Sequence, residues 1–239
     1  MKLSQRLETI IDMVPRVPGG CTVADVGTDH GFVPINLVQD GTACRALAMD
    51  VRKGPLLRAA EHIRQSGLED RIETRLSDGL AGLKPKEADC VVITGMGGEL
   101  MLRIMQEGGH VRDGIRWWVL SPQSELGLFR HGLEELGLRI CREVMLEEEG
   151  KFYTVMLAEP GSMHYAHEYC YRYGELLIRQ QSPVLRSFLE KEERTLTVIL
   201  GQLESRGKDA PEKRKAELLQ ELKEIRETYD AMQGTDGTF

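Results

Sequence analysis

The chain has 239 residues, enough for one large domain or for one ordinary domain with an addition. Hydrophobic residues make up 41% and charged residues 29%, as in globular proteins, which argues against wholesale disorder. The net charge of -7 argues against a broadly basic nucleic-acid coat or a polybasic membrane binder, and leaves room for a local basic patch.

The first residues predict an amphipathic helix. Leu3, Leu7, Ile10, Ile11 and Val14 fall on one helical face. The segment lacks the apolar core and the small-residue cleavage site of a signal peptide, and no apolar run approaches the roughly 20 residues of a membrane span. Five scattered cysteines without a C-x-x-C pair indicate a reducing, cytoplasmic setting without a disulfide framework or a zinc site. We therefore expect a cytoplasmic protein that binds no membrane and no metal.

Between residues 21 and 158, short β-rich runs alternate with helical patterns. This alternation is typical of a doubly wound, mainly parallel sheet with helices on both faces. The predicted strands are 22–26, 45–50, 71–76, 89–94, 117–121, 139–146 and 152–158. The predicted helices are 32–39, 55–66, 99–107 and 126–136. Because only a short turn separates the last two strands, we predict an α/β, Rossmann-like sheet of seven strands whose last pair is antiparallel.

After Pro160 the pattern becomes entirely helical. The predicted helices are 163–181, 184–206 and 212–232, with a turn at 207–211. The last of them carries a heptad seam of Leu218, Leu222, Ile225, Tyr229 and Met232. A leucine stripe on the preceding helix faces this seam in an expected antiparallel helical hairpin or coiled coil. We therefore expect two domains, 1–160 and 161–239.

The most informative motif is DVGTDHG, residues 25–31, at the end of the first predicted strand. Gly27 and Gly31 let the backbone pass close to a ligand, beside a helix N-terminus. A dinucleotide fingerprint has a glycine where Asp29 stands, and a carboxylate there would repel a pyrophosphate. The loop therefore favours S-adenosylmethionine, which carries ammonium and sulfonium charges, over NAD. The alternative is a tight strand–helix turn without a ligand.

Three further features follow the next three predicted strands. Asp50 stands about 20 residues past the glycine loop, where a carboxylate accepts from ribose hydroxyls; the alternative is a cap of the next helix. Asp78 precedes a glycine and is placed to accept from an adenine amino group, or it belongs to an ordinary turn. The run 95–98 has three glycines around Met96, more than close helix–strand packing alone needs. Four such features at successive strand ends favour a ligand site.

The motifs DVGTDHG, AMD, LSDGL, ITGMGGEL and EEEGKFYTVMLAEPG resemble the bacterial tRNA adenine-22 N1-methyltransferase family over nearly the whole chain. Members of that family use S-adenosylmethionine and modify the D-arm of tRNA. The resemblance implies a cofactor site made of Asp25, Gly27, His30, Asp50, Val51, Asp78, Gly79, Gly95 and Met96. From the residues alone, His30 is read as a loop or core histidine rather than a general base. The chain departs from the family pattern at Gly31, where alanine is expected, at Asp50, where glutamate is expected, and in the loop 121–124.

The resemblance implies methyl transfer to N1 of an adenine in tRNA. Asp29 is then the catalytic candidate, which either stabilises the positive charge that develops on the adenine or accepts its amino proton. Recognition of the tRNA is expected to rest on shape and phosphates. The candidate phosphate contacts fall in three groups: beside the cofactor edge, Arg52, Lys53 and Arg58; nearer the target loop, where the adenine is expected to bind, Arg103, Arg112 and Arg116; and around the turn of the helical hairpin, Lys208, Lys213, Arg214 and Lys215. We expect a monomer or a weak homodimer.

Two alternatives stay open at this stage. The first is a methyltransferase of the same fold that acts on another RNA, a protein or a small molecule. The second is a non-catalytic coiled-coil adaptor with a vestigial cofactor site. Neither predicted domain is basic, since residues 1–160 carry a net charge of -5 and residues 161–239 a net charge of -2. Affinity for tRNA should therefore come from small patches and be modest.

Overall fold

The computed structural model describes residues 3–205 and 211–234. The chain divides into two compact units, the first ending at His164 and the second beginning at Tyr165. This division lies just after the boundary expected at residue 160, because the connecting segment is held by the first unit. The Gly161 amide donates to the Gly137 carbonyl at 2.9 Å, and His164 Nδ1 lies 2.9 Å from Glu134 Oε1.

The first unit is built on one seven-stranded sheet. The strands are β1 Cys21–Val26, β2 Ala43–Asp50, β3 Ile72–Leu76, β4 Cys90–Thr94, β5 Trp117–Ser121, β6 Leu138–Glu148 and β7 Lys151–Pro160. Their order in the sheet is β3-β2-β1-β4-β5-β7-β6. The first five strands pair in parallel, and β7 runs antiparallel to both β5 and β6. The predicted seven-stranded sheet with an antiparallel last pair is confirmed.

Helices cover this sheet, and its central strands are apolar along their length because they are buried. The helices of the first unit are α1 Gln5–Met13, α2 Phe32–Gln39, α3 Lys53–Gln65, α4 Gly98–Glu107, α5 Gly109–Arg112 and α6 Leu126–Glu135. Ile10 of α1, Leu37 of α2 and Ile63 of α3 share one core with Val23 and Val92 of the sheet. Burying each of these side chains contributes about 1.5–3 kcal/mol, so the core fixes where the strand ends lie.

Helix α1 is held at both ends, mainly by β6. Its N-cap is Ser4, whose side chain accepts a backbone hydrogen bond from the first turn. Glu148 Oε1 accepts from the Arg6 backbone amide at 3.4 Å. At the other end, Arg142 Nη1 donates to the Asp12 carbonyl at 3.0 Å. The position of α1, and with it the position of Arg6, is therefore set by a strand that is distant in sequence.

A buried ion pair fixes α6 against β6. Arg130 Nη2 and Glu143 Oε1 lie 2.7 Å apart, and both side chains are completely buried. Burial raises the pKa of Glu143, and the Arg130 guanidinium opposes that rise. Removing one partner of such a pair leaves an uncompensated buried charge, so the pair holds α6, and the loop before it, in one position.

The second unit is helical. Its helices are α7 Glu168–Tyr173, α8 Glu175–Arg179, α9 Pro183–Glu204 and α10 Glu212–Met232. The prediction of a single helix over 163–181 is wrong, since the helix begins only at Glu168 and breaks at Gly174, whose φ of 94° and ψ of 112° are not helical. Residues 206–210, with Lys208 and most of the predicted turn, lie outside the described residues. Among the described helices, none is both long and apolar enough to span a bilayer.

Helices α9 and α10 pack antiparallel, as predicted. Near one end Lys215 Nζ lies 3.5 Å from Glu204 Oε1, and near the other the Arg186 guanidinium lies 6.0 Å from the centre of the Tyr229 ring. The buried apolar residues of the two helices include Leu185, Leu189, Leu196, Leu203, Leu218, Leu222, Ile225 and Met232. The hairpin is confirmed, whereas a coiled coil in the strict sense stays a prediction.

Candidate active site

The sheet topology brings the predicted site loops to one edge. The chain leaves β1 toward β2 on one side and later returns to β4 on the other side, so β1 and β4 flank a topological switch point. In such sheets ligands bind in the crevice outside the carboxyl ends of the strands at this point. The loops that begin at Gly27, Val51, Ser77 and Gly95 follow β1, β2, β3 and β4. All the predicted cofactor residues therefore lie at the ends of four adjacent parallel strands.

The loop after β1 adopts a conformation that requires glycine. Gly27 and Gly31 have φ values of 83° and 73°, in the left-handed region. The Gly27 amide donates to the Met49 carbonyl at 2.8 Å, which ties the loop to β2. A Cβ at Gly27 would lie 2.3 Å from Met96 Cε, so the Met96 side chain lies directly against Gly27. The turn geometry by itself accounts for both glycines. The contact of Met96 with Gly27 joins the β1 and β4 loops across the crevice.

Asp25, on β1 below this loop, is a buried carboxyl group, only 6% exposed. Burial is the main cause that raises its pKa to about 6; the Thr28 hydroxyl opposes the rise and the nearby Asp50 adds to it. Within the described residues, Asp25 forms no ion pair. A buried carboxyl without a counter-charge favours a cationic ligand, because a positive group would stabilise its ionised form.

Asp50 closes β2 with one carboxylate oxygen already engaged. Its Oδ1 accepts from the Arg52 backbone amide at 2.7 Å, and its own carbonyl accepts from the Ser77 amide at 3.0 Å. In the described part of the chain, Oδ2 has no hydrogen-bond partner. The N-cap of α3 is Arg52, so the alternative that Asp50 caps this helix is wrong. Val51 is 58% exposed, which leaves an apolar surface next to the free oxygen.

The turn after β3 has a clear structural role. The Ser77 hydroxyl accepts from the Gly82 amide at 2.8 Å and donates to the Gly79 carbonyl at 3.0 Å. Gly79 has a φ of 51°, and a Cβ there would lie 2.9 Å from a methyl carbon of Ile104. The turn alone therefore explains Gly79, while the exposed Asp78 side chain has no structural task in it.

The loop after β4 is joined to the loop before α6. The Gln123 amide donates to the Met96 carbonyl at 2.8 Å, and Gly98 donates to Glu125 Oε2 at 3.1 Å. A Cβ at Gly98 would lie 2.8 Å from a backbone oxygen of the other loop, so close packing explains this glycine. Gly95, with a φ of 78°, is required for the turn. These contacts join the two loops into one wall of the crevice.

Asp29 contacts two basic side chains. It forms a hydrogen-bonded ion pair with Arg58, and His30 Nε2 lies 3.2 Å from its Oδ2. The Arg58 hydrogen bond is the main cause that lowers the pKa of Asp29. The carboxylate therefore stays ionised at neutral pH and is a weak proton acceptor. Arg58, predicted as a phosphate contact, is engaged by Asp29 instead.

His30 belongs to an aromatic stack. The centre of its ring lies 5.3 Å from that of Phe32 and 5.6 Å from that of His62, and the planes of the three rings are within 24° of parallel. His62 Nδ1 is 2.8 Å from the His30 carbonyl, which holds the loop on α3. This arrangement favours a structural task for the ring and a positioning task for its contact with Asp29.

Comparison with known proteins identifies the family of this chain. The Methyltransferase domain family matches residues 3–156. The tRNA (adenine(22)-N(1))-methyltransferase of Bacillus subtilis is 36% identical over 168 residues, which cover 70% of this chain and 69% of the relative. The chain belongs to the tRNA (adenine-22-N1)-methyltransferase family.

Solved structures of this methyltransferase family match along nearly the whole chain. The B. subtilis M1A22 tRNA methyltransferase TrmK is 29% identical with a TM-score of 0.85, covering 95% of this chain and 98% of that one. M. capricolum TrmK, solved with the cofactor product S-adenosyl-homocysteine, is 26% identical with a TM-score of 0.84, covering 97% and 100%. The match extends beyond the sheet, so the C-terminal helices are part of the family's fold.

Two residues near this methyltransferase site were missed by sequence reasoning. A Cβ at Gly95 would lie 3.4 Å from Arg6 Nη2 and 4.0 Å from Gln123 Nε2. Arg6 also stacks over the Tyr153 ring, 4.8 Å from its centre. The pattern of α1 alone gives no signal for this placement, because it depends on the contacts of α1 with β6.

Two predicted phosphate contacts near the target loop are misplaced. Arg116 precedes β5 and stacks on Trp117, with its guanidinium 4.4 Å from the ring centre. Arg112 lies in α5, close before that strand. The start of a parallel strand is at the edge opposite the crevice, so the prediction that these two arginines lie near the target loop is wrong. In the described residues, no group of three or more His, Cys, Asp or Glu side chains is arranged to hold a metal ion.

Asp25 should make the ligand-free methyltransferase less stable as the pH rises. Its folded-state pKa of about 6 exceeds the ordinary value of 3.8, so its neutral form favours folding. The contribution is fully present below the ordinary value and is lost as the pH rises through about 6. The free energies of unfolding of the wild type and of Asp25→Asn, measured in urea, should therefore diverge with rising pH. The variant should be the more stable, by on the order of 2 kcal/mol at pH 7. A constant difference between pH 4 and pH 7 would show that Asp25 titrates normally.

Proposed function

We propose that this chain transfers a methyl group from S-adenosylmethionine to N1 of adenine 22 in the D-arm of tRNA. The observation that carries the proposal is Asp25, a buried carboxyl at the switch point of a member of this methyltransferase family, with no counter-charge among residues 3–205 and 211–234. A neutral or anionic ligand would leave this group uncompensated. A cofactor with an ammonium and a sulfonium charge supplies what the site lacks.

The residues at the crevice fit S-adenosylmethionine group by group. We assign Asp25 to the ammonium group and the free Oδ2 of Asp50 to the ribose hydroxyls. Val51 offers apolar surface to the adenine ring, and Asp78 accepts from its amino group. Gly27, Gly79 and Gly95 border the ligand through their backbone atoms, and the side chains of His30 and Met96 lie beside it. When bound, the cofactor supplies an activated methyl group on a positively charged sulfur.

Asp29 acts on the acceptor base in this scheme. Positive charge develops on the adenine as its N1 forms the new bond, and an ionised carboxylate nearby stabilises that charge. Arg58 and His30 keep Asp29 ionised and oriented. Since the lowered pKa makes Asp29 a weak base, we assign the amino proton to solvent rather than to this residue.

Alignment of adenine N1 with the methyl group of the cofactor supplies much of the remaining lowering of the barrier. Holding two reactants in line contributes about 7–11 kcal/mol in well-oriented systems. The joined loops after β4 and before α6 form a fixed wall for this purpose. N1 of adenine is hidden in a Watson–Crick pair, so the enzyme must take a base that is unpaired or flipped out of the helix.

Contacts with the tRNA are expected from the exposed basic residues that the structure leaves uncompensated. Lys53 of α3 and Lys213 of α10 are exposed and form no ion pair within the described residues. Arg214 and Lys215 are paired with glutamates, which weakens their case. We place the enzyme in the cytoplasm, where unmodified tRNA is available, as a monomer or weak homodimer whose state sedimentation would decide.

Transfer of tritiated methyl groups tests the proposal. A tRNA transcript with adenine at position 22 should be labelled, and the same transcript with guanine at that position should not. Labelling of both transcripts, or of a protein or metabolite fraction instead of tRNA, would favour the alternative methyltransferases. An adaptor with a vestigial site would label nothing and would show no thermal stabilisation by S-adenosylhomocysteine.

A further inference from the structure

Arg6 places a restrained guanidinium beside the active site. Its Cζ lies 4.8 Å from the centre of the Tyr153 ring, an arrangement that holds the side chain by a cation–π contact. Its Nε is buried and has no hydrogen-bond partner among the described residues. No ion pair to this guanidinium forms within residues 3–205 and 211–234. A partly buried arginine with free donors is suited to bind an oxyanion from outside the chain.

The backbone around Arg6 is fixed, so its donors point to a defined place. Glu148 Oε1 accepts from the Arg6 backbone amide at 3.4 Å and not from the guanidinium. Nη2 lies 3.4 Å, and Gln123 Nε2 4.0 Å, from the position that a Cβ on Gly95 would take. Because Gly95 has no side chain, the space between these two donor groups and the loop stays open.

We propose that Arg6 and Gln123 form a subsite for the phosphate of the target nucleotide, beside the loop after β4. The inference rests on the proposed function. The subsite is built from α1 and the loop before α6, next to β7. Gly95 borders it as well as the cofactor, whereas the carboxylates assigned to the ribose and the adenine follow β2 and β3, on the other side of β1. This separation favours the nucleic acid over the carboxylate of the cofactor as the source of the oxyanion. Arg6 is thus a positioning residue that orients the flipped adenosine.

The test compares Arg6→Ala and Arg6→Lys with a matched control, Arg16→Ala. Arg16 follows the same helix but is 64% exposed and paired with Asp40 at 2.9 Å. We expect Arg6→Ala to raise the KM for tRNA about tenfold. Its kcat and its affinity for S-adenosylhomocysteine should stay within about twofold of the wild-type values. The slope of log binding constant against log salt concentration should fall by about one, as for a lost phosphate contact. Arg6→Lys should keep the slope, and Arg16→Ala should change nothing.

Two results would overturn the subsite. One is a salt slope in Arg6→Ala equal to that of the wild type, which would mark a structural role only. The other is a loss of S-adenosylhomocysteine affinity with an unchanged KM for tRNA, which would assign the guanidinium to the cofactor carboxylate. Both differ from failure of the proposed function, which would appear as an absence of methyl transfer to tRNA by the wild-type enzyme.

Discussion

Replacing Asp50 with alanine should weaken the binding of S-adenosylhomocysteine about 100-fold. The free Oδ2 is the group assigned to the ribose hydroxyls, and hydrogen bonds to a charged acceptor each contribute about 1.5–3 kcal/mol. The carboxylate is held in place by the Arg52 amide and is only 6% exposed, so little reorganisation compensates for its loss. Isothermal titration calorimetry measures the change directly.

A matched control separates this effect from a general loss of negative charge. Asp113 is exposed and follows α5, close before the start of β5 and so at the edge opposite the crevice, and Asp113→Ala should bind S-adenosylhomocysteine like the wild type. If Asp50→Ala retained wild-type affinity while staying folded, the assignment of Asp50 to the ribose would be wrong. The assignment of Val51 to the adenine ring, which depends on it, would then be unsupported.

Replacing Asp29 with alanine should lower kcat about 100-fold and leave the affinity for S-adenosylhomocysteine within a few-fold of the wild-type value. Removing one group that stabilises charge in the transition state costs a factor on the order of 100 to 1,000 in kcat. Asp29 is about half exposed and already carries its own counter-charges, so its contribution belongs at the lower end of that range. Single-turnover methyl transfer to tRNA gives the rate, and calorimetry gives the affinity.

The control for this second prediction is Asp70→Ala, which removes an exposed carboxylate after α3. It should transfer methyl groups at the wild-type rate. An Asp29→Ala enzyme that also kept the wild-type kcat would refute any role for this carboxylate in the reaction. A flat pH profile of kcat above pH 5 is expected for the wild type, since the lowered pKa keeps Asp29 ionised there.

The sheet and its site loops were predictable because their signals are local. A parallel strand buried on both faces is a short apolar run, such as Val91, Val92 and Ile93, and each one is followed by a loop at the same edge. The acidic residues therefore had to come together once the strands were recognised. Their free or buried state was not predictable, because it depends on which donors lie nearby, as the Arg52 amide beside Asp50 shows.

Two of the errors share a cause in long-range contacts, and a third has a local cause. Arg58 carried no sequence signal for its pairing with Asp29, which needs α3 to pack beside the β1 loop. Arg6 was missed because β6, more than 100 residues later, sets its position. The expected helix over 163–181 failed at Gly174, since the apolar pattern continues through a residue whose backbone is not helical.

The structure also gives a reason for one departure from the family pattern. Gly31 stands where the family resemblance implies alanine, and its φ of 73° is in the region that favours glycine. A Cβ there would lie 3.3 Å from the Cβ of Ala59, closer than ordinary packing. The glycine therefore suits a β1 loop that lies close against α3, the helix that also supplies Arg58 to Asp29.

Mass-spectrometric mapping of a methylated tRNA transcript locates the transferred methyl group and so tests the proposed function. After incubation with the enzyme and S-adenosylmethionine, we expect N1-methyladenosine at nucleotide 22 and no other new methyl group. A methyl group on a different atom of that adenine or on another nucleotide would contradict the proposed function. So would the absence of a new methyl group from a transcript that the enzyme binds.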